Sequence, residues 1–336
     1  MDSRQRELQA WLSSLPKTQR TLEPEPVLEP VSGDASFRRY FRVTGPDGPR
    51  VVMDAPPTRE PVAPFMDIAA RLLRAGLHVP RIHAADQEAG FLLLDDLGHE
   101  TFLDAFERQD PAPLLDAAVD ALVRMQRHAD PAGLPEYDAG LLRRELELFP
   151  EWYLARECGR SLTSSEQRRL DAWFVRIIER ALGQEQVLVH RDYMARNLMV
   201  SDPLPGVIDF QDAVLGPVSY DPVCLFMDAF FSLPAAQVTA WLVTYHERAA
   251  AAGVSVPADV DDFLADCRWM AVQRHLKVIG IFARIAHRDG KPAYLQDVPR
   301  FFRYLQESAA AEPGLAGLLE DLEALGAMPQ LQESGT

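Results

Sequence analysis

The chain has 336 residues, with 34 basic and 50 acidic side chains, and a formal net charge of −16. Hydrophobic residues make up 47% and charged residues 25%, which supports a sizeable core, suggests about two domains at roughly 150 residues each, and excludes a chain disordered throughout. The acidic balance argues against nucleic acid as a partner, since phosphate neutralisation needs clustered cations, and lysine is confined to Lys17, Lys277 and Lys291, so 34 − 3 = 31 of the basic residues are arginines.

In chain order, residues 3–15 predict a short amphipathic helix with Leu8, Trp11, Leu12 and Leu15 at helical spacing. The Pro-rich stretch Thr21–Pro30 ends that pattern. Strands are expected at Val27-Leu28, Ser36–Val43 and Val51–Met53, separated by turn clusters at Ser32–Ala35 and Gly45–Gly48. A helix over 62–75 and strands at Arg81–Ala85 and Phe91–Leu94 complete a small mixed lobe. After Asp95-Asp96-Leu97-Gly98 helical periodicity dominates, at 100–108, 111–128, 138–157, 164–182 and from 220 onward, with one extended interruption from Val187 to Phe210. The expected organisation is an N-terminal helix over 1–20, a nucleotide-binding lobe over 21–97 and a large, mainly helical lobe over 98–336. The fold class is α+β.

Three widely spaced cysteines, Cys158, Cys224 and Cys267, form neither a closed disulfide set nor a zinc-ligand pattern. The charged start of the chain lacks the apolar run of a signal peptide, and no stretch approaches the ~18 apolar residues of a membrane span. A cytoplasmic protein without membrane or nucleic-acid partners, monomeric or weakly self-associating, is expected. The last residues, Gln330–Thr336, are expected to fray.

The interruption carries the chemistry. It reads His190-Arg191-Asp192-Tyr193-Met194-Ala195-Arg196-Asn197, followed by Ile208-Asp209-Phe210, an H-x-D-x-x-x-x-N loop and a D-F strand end in the arrangement of a kinase. Asp192 can orient an acceptor hydroxyl and take its proton. The Asn197 amide oxygen and the Asp209 carboxylate are hard donors suited to Mg2+. A turn capped by His190 and Asp192 would explain the letters without catalysis, but not the four fixed positions and two flanking apolar strands together. ATP would then bind the first lobe. Ser32-Gly33-Asp34-Ala35-Ser36 sits where a hairpin loop covers phosphates, though an ordinary turn predicts the same letters. Asp95, Asp96 and Leu97 sit where a hinge offers backbone groups to adenine, as a plain interdomain loop would also look.

With these pieces in order the chain resembles the aminoglycoside phosphotransferase/choline kinase superfamily, with its two-lobed protein-kinase-like fold. It resembles most the bacterial anomeric kinases of N-acetylmuramate and N-acetylglucosamine. The strings that carry the resemblance are Ser32–Phe41, Val52–Pro57, His190–Asn197, Ile208–Ala213, Gly216–Asp221 and Gln273–Phe282. The resemblance implies phosphorylation of the anomeric hydroxyl of an N-acetylated amino sugar, with ATP and Mg2+, in a peptidoglycan-recycling route to UDP-N-acetylmuramate.

One departure stands out. Kinases place a lysine on the third strand, paired with a helix glutamate and touching the α- and β-phosphates. Here that strand reads Val51-Val52-Met53-Asp54, and helix 62–75 carries Asp67 as its only acid. Strand alternation puts Ser36, Arg38, Tyr40 and Arg42 on one face and Phe37, Arg39, Phe41 and Val43 on the other. One of Arg38, Arg39 or Arg42, with Arg38 foremost, is expected to reach the phosphates, unless all three are solvated surface arginines. For the acceptor, the candidates are Arg196, Asp212, Arg274, His275, Lys277 and Arg284. Arg274, Lys277 and Arg284 share one helical face able to meet a lactyl carboxylate, or to make surface ion pairs. Trp152 and Tyr153 could stack on a sugar or belong to the core. An aminoglycoside- or choline-type kinase and a non-catalytic nucleotide-binding protein remain open alternatives.

Overall fold

Antiparallel pairing of the β-branched and aromatic runs near the N-terminus builds a five-stranded sheet: β1 (Glu29–Ser32), β2 (Arg39–Gly45), β3 (Gly48–Asp54), β4 (Ile82–Asp86) and β5 (Phe91–Asp95), in the order β1-β2-β3-β5-β4. These elements come from a computed structural model that describes residues 2–16, 27–32, 37–45 and 48–328. Ser32 ends β1, whereas Gly33, Asp34, Ala35 and Ser36 lie outside the described residues. β1 and β2 begin two and three residues later than expected, β3 begins three residues earlier, β4 begins one later and β5 begins where expected; pairing of β2 with β3 puts Arg39 opposite Asp54 and Phe41 opposite Val52.

Helix α1 (Ser3–Ser14) starts at an Asp2 capping box with Gln5. A 12-residue helix is marginal alone, but Leu8 and Leu12 are fully buried against Phe41, Val43, Val52, Phe91 and Leu93. At about 1.5–3 kcal/mol for each buried leucine, that contact holds the helix to the sheet. The fully buried Asp54 carboxylate fixes it in orientation: Arg4 donates to it at 2.8 and 2.5 Å, and Arg39 at 3.0 and 2.5 Å. Between β3 and β4 runs α2 (Ala63–Arg74), burying Phe65, Ile68, Ala69 and Leu72. Gly90 has φ +78°, and a Cβ there would lie 1.9 Å from the Ala55 carbonyl oxygen, so only glycine fits.

The remaining helices are α3 (Phe102–Phe106), α4 (Ala112–His128), α5 (Ala139–Leu146), α6 (Ser164–Leu182), α7 (Tyr220–Phe226), α8 (Ala235–Ala252), α9 (Val260–Asp289), α10 (Val298–Ala311) and α11 (Leu318–Ala324). The helix expected over 138–157 is two pieces, α5 and a π-helical segment, Phe149–Glu157. Pro150 lacks the N–H that would continue an α-helical ladder there. Four short strands, β6 (Gln186–Val189), β7 (Leu198–Met199), β8 (Gly206–Val207) and β9 (Val214–Pro217), make the pairs β6–β9 and β7–β8.

The chain divides into two units, Met1–Ala118 with Asn197–Asp212, and Val119–Arg196 with Ala213–Thr336. The division therefore falls inside α4 rather than at 97/98. The β7–β8 hairpin groups with the sheet because Val200 N–H donates to the Glu100 carbonyl (2.8 Å) and Val207 N–H to that of His78 (2.7 Å). Among the described residues no helix is long and apolar enough to cross a membrane.

Candidate active site

In the second unit, β6 delivers the chain into His190–Arg196, and two buried carboxylates pin that loop. The His190 and Arg191 N–H groups donate to Asp221 at 2.7 and 3.0 Å. The Ala195 N–H donates to Asp228 at 2.9 Å, and the other oxygen of Asp228 accepts from the Phe230 N–H at 2.7 Å. Both carboxylates are fully buried. Burial pushes Asp221 up to about 7 against the opposing pull of those N–H donors, and it raises Asp228 as well. Within the loop the Asp192 N–H donates to His190 Nδ1 at 3.3 Å, and the Asp192 carbonyl accepts from the Met194 N–H at 2.9 Å. Asp192 is thus held on both sides while its side chain stays half-exposed, as a proton acceptor for a bound hydroxyl must be.

Arg191 has φ +75°, a conformation that costs a non-glycine residue energy and persists only where the surroundings enforce it. Asp221 on its N–H and the Cys224 thiol on its carbonyl, at 3.3 Å, hold that backbone, and its side chain is held by Glu145, on the buried stripe of α5 with Leu142 and Leu146. Its carboxylate meets Arg191 at 2.5 Å and Lys277 Nζ at 2.9 Å. It also accepts from Gln273 Nε2 at 3.1 Å and from the Tyr137 hydroxyl. Burial alone would raise this carboxyl, but Lys277 and Arg191 outweigh burial and hold it at about 2. Lys277 also donates to the Tyr220 hydroxyl at 3.0 Å. Lys277, expected to face a sugar, therefore has its ammonium committed inside the protein.

In the first unit, Asn197 and Asp209 come together at the base of the β7–β8 hairpin. The Ile208 N–H donates to the Asn197 carbonyl at 3.1 Å. Asn197 Nδ2 lies 3.4 Å from Asp209 Oδ2, and Gln211 Nε2 donates to Asp209 Oδ1 at 2.8 Å. Asp209 has φ +63° and is exposed, whereas Phe210 is buried with its ring 4.8 Å from that of Phe65 on α2. The two side chains offer oxygen donors only, a carboxylate and an amide oxygen. Among the described residues no cluster of three or more His, Cys, Asp or Glu could form an all-protein metal cage. That donor set suits magnesium, which keeps waters and phosphate oxygens as its other ligands.

The carboxylates of the expected hinge are engaged by protein cations. Asp95 meets His83 Nε2 at 2.6 Å and Arg50 at 3.2 Å. Asp96 takes Arg42 at 2.5 and 3.0 Å, and Arg42 also donates to the Gly98 carbonyl at 3.0 Å. The Asp95 N–H is itself taken by the Arg81 carbonyl at 3.0 Å.

The acceptor candidates in the second unit separate by burial. Arg274 is fully buried, its Nε 3.1 Å from Cys224 Sγ and its Nη1 donating to the Met227 carbonyl. The His275 ring is fully buried, 5.0 Å from the Tyr304 ring, and burial lowers its pKa far enough to keep it neutral. The Arg196 guanidinium lies 5.0 Å from the Phe230 ring centre. Arg284 is half-buried, and its buried Nε has no hydrogen-bond partner among the described residues. Tyr153 belongs to the core, donating to the Ala327 carbonyl at 3.0 Å. Asp212, the last residue of the first unit, is exposed. Glu145 and Asp228 escaped sequence reasoning. For Glu145 the available signal was a glutamate inside the apolar stripe of α5; for Asp228, an aspartate within the apolar run Val223–Ala229.

The phosphotransferase enzyme family matches residues 27–259. An N-acetylmuramate/N-acetylglucosamine kinase of Pseudomonas aeruginosa is 52% identical over 330 residues, covering 96% of this chain and 97% of that protein. A kinase of the same description from Pseudomonas putida is 54% identical, covering 88% of each. Among solved structures, an amicoumacin kinase in complex with AMP-PNP, Ca2+ and Ami superposes with a TM-score of 0.64 at 16% identity, over 93% of this chain and 96% of that one. An ADP-bound aminoglycoside phosphotransferase superposes with a TM-score of 0.59 at 14% identity, over 92% and 99%. These two likenesses speak for the fold.

Proposed function

This chain belongs to the phosphotransferase enzyme family, and we infer that it is an ATP-dependent sugar kinase acting on the anomeric hydroxyl of N-acetylmuramate and N-acetylglucosamine. The observation that carries the reading is the pinned Asp192 loop in a chain 52% identical, over 96% of its length, to a kinase of those sugars. Asp192 accepts the proton of the sugar hydroxyl as the new oxygen–phosphorus bond forms, while the bond between the γ-phosphorus and the bridging oxygen breaks and ADP departs. A hemiacetal hydroxyl is more acidic than an ordinary alcohol, so a carboxylate in a fixed position suffices. Asn197 and Asp209 would hold Mg2+, which when bound neutralises phosphate charge. The backbone of Asp95–Leu97 would receive adenine. Arg284, whose Nε has no hydrogen-bond partner among the described residues, is the first candidate for the lactyl carboxylate of N-acetylmuramate. The enzyme would act in the cytoplasm, supplying an anomeric phosphate to peptidoglycan recycling.

The test offers N-acetylmuramate, N-acetylglucosamine, glucose and kanamycin with ATP and magnesium chloride. Turnover of the two N-acetylated sugars is expected, with an acid-labile product, because a phosphate at the anomeric carbon hydrolyses where an ordinary monoester survives. Asp192→Asn should lose about 10²–10⁴ in kcat and still bind ADP. Turnover of kanamycin alone refutes the reading.

A further inference from the structure

The first unit contains an ion pair that answers the missing lysine. Arg38 and Glu60 meet at 2.6 Å, with their side chains only 12% and 21% exposed. Glu60 stands in a turn just ahead of α2, its backbone fixed because the Arg59 and Glu60 N–H groups both donate to the Pro56 carbonyl, at 2.9 and 2.8 Å. Arg38 immediately precedes β2.

The faces of β2 sort the three arginines. Arg39 lies on the side covered by α1, where it neutralises Asp54 and pairs with Asp2. Phe41 and Val43, on the same side, pack beneath Leu8 and Leu12. Tyr40 and Arg42 alternate to the other side, opposite Met53 and Val51 on β3. Arg42 is taken by Asp96 and the Gly98 carbonyl. Arg38 continues the row of Tyr40 and Arg42, next to the cross-strand pair of Tyr40 and Met53. A cation at the end of that row reaches the sheet surface that a lysine on β3 would otherwise serve.

We propose that Arg38, oriented by Glu60, is the cation that binds the nucleotide phosphates in this chain, and that the Arg38–Glu60 pair replaces the strand lysine and helix glutamate of other kinases. The inference rests on the kinase reading above. The cation has moved one strand back along the sheet, from β3 to the start of β2. The anion has moved from α2 to the turn that precedes it, since the one acid of α2, Asp67, is engaged by Arg71 at 2.9 Å. A guanidinium is always charged and presents several donors in a plane, so one group can serve Glu60 and phosphate oxygens together. A lysine ammonium must share three donors on one atom. Glu60 is then a positioning residue and Arg38 a binding residue.

The experiment measures ADP and adenosine binding to the full chain by calorimetry, with magnesium chloride present, for the parent, Arg38→Met, Arg38→Lys and Glu60→Gln. A charge-assisted contact to phosphate predicts that Arg38→Met weakens ADP about tenfold to hundredfold and leaves adenosine within twofold. Arg38→Lys should fall between the parent and Arg38→Met. Glu60→Gln should weaken ADP severalfold without affecting adenosine, and it serves as the deciding variant if Arg38→Met does not fold. ADP affinity unchanged in Arg38→Met, or lost in equal measure with adenosine, overturns the proposal; unchanged ADP affinity in Glu60→Gln overturns the pairing. Either result can stand beside full sugar kinase activity in the parent. A parent that binds no ADP overturns the kinase reading, and this inference with it.

Discussion

Replacing Glu145 by Gln keeps the shape of the side chain and removes the carboxylate that forms ion pairs with both Arg191 and Lys277. Glu145 is 6% exposed, so solvent screens these interactions little. Holding its carboxyl at about 2 instead of the ordinary glutamate value corresponds to about 3 kcal/mol in favour of the ionised, folded form. Glu145→Gln also leaves the buried Lys277 and the half-buried Arg191 facing each other, and breaking a buried pair in this way costs about 3–5 kcal/mol. For 336 residues a loss of 3 kcal/mol lowers the melting temperature by about 4 °C. Because the folded pKa is depressed, the stabilisation is complete above about pH 4.5 and disappears as pH falls toward 2. The gap in melting temperature between parent and variant should therefore be widest near neutrality and close across that window. Turnover should fall tenfold or more, since Arg191 at φ +75° adjoins Asp192, with ADP affinity retained. Adding Lys277→Met should restore part of the stability by removing the stranded cation. Lys277→Met alone should affect both sugars alike, whereas a lysine that bound the lactyl carboxylate would spare N-acetylglucosamine. Melting of Glu145→Gln within 1 °C of the parent at pH 7, with kcat unchanged, would refute the reasoning.

Three further outcomes follow from named contacts. A Cβ on Gly280 of α9 would lie 2.4 Å from the carbonyl carbon of Leu148, so Gly280→Ala should lose about 1–3 kcal/mol to backbone overlap, more than the ~1 kcal/mol gained in helix propensity, and melt lower. Burial raises Asp221 to about 7, so its ionisation removes stability as pH climbs from about 4 to 7; Asp221→Asn should lose less melting temperature than the parent over that range. Arg4→Met leaves the buried Asp54 with Arg39 as its remaining arginine; it should cost about 1–3 kcal/mol, and limited proteolysis should cut at α1 sooner.

What was legible in the sequence follows from how far each contact reaches along the chain. His190 to Asn197 and Asp209 form a local pattern, because the loop and the strand end proposed to hold metal follow one another in sequence, and the proposed chemistry needs those side chains whatever surrounds them. The faces of β2 were legible too: alternation separates Arg39 from Arg38 and Arg42, and the structure puts Arg39 under α1. The groups that immobilise Asp192 were not legible in the same way. Asp221, Asp228 and Glu145 act from 30 to 46 residues away, and a carboxylate that will be buried is written with the same letter as one that will be solvated.

The cationic face of α9 shows the limit of periodicity in its sharpest form. The helical repeat correctly puts Arg274, Lys277 and Arg284 near one side, but it cannot say what covers that side, and the answer changes along the helix. Cys224 and the Met227 carbonyl receive Arg274, and Glu145 with Tyr220 receives Lys277. Arg284, half-buried near the end of the helix, keeps a donor without a hydrogen-bond partner among the described residues. A buried guanidinium donor is costly to leave unmet, so of the three cations Arg284 is the one whose surroundings still call for a ligand. Arg274 and Lys277 already have their charge met by Cys224, the Met227 carbonyl, Glu145 and Tyr220.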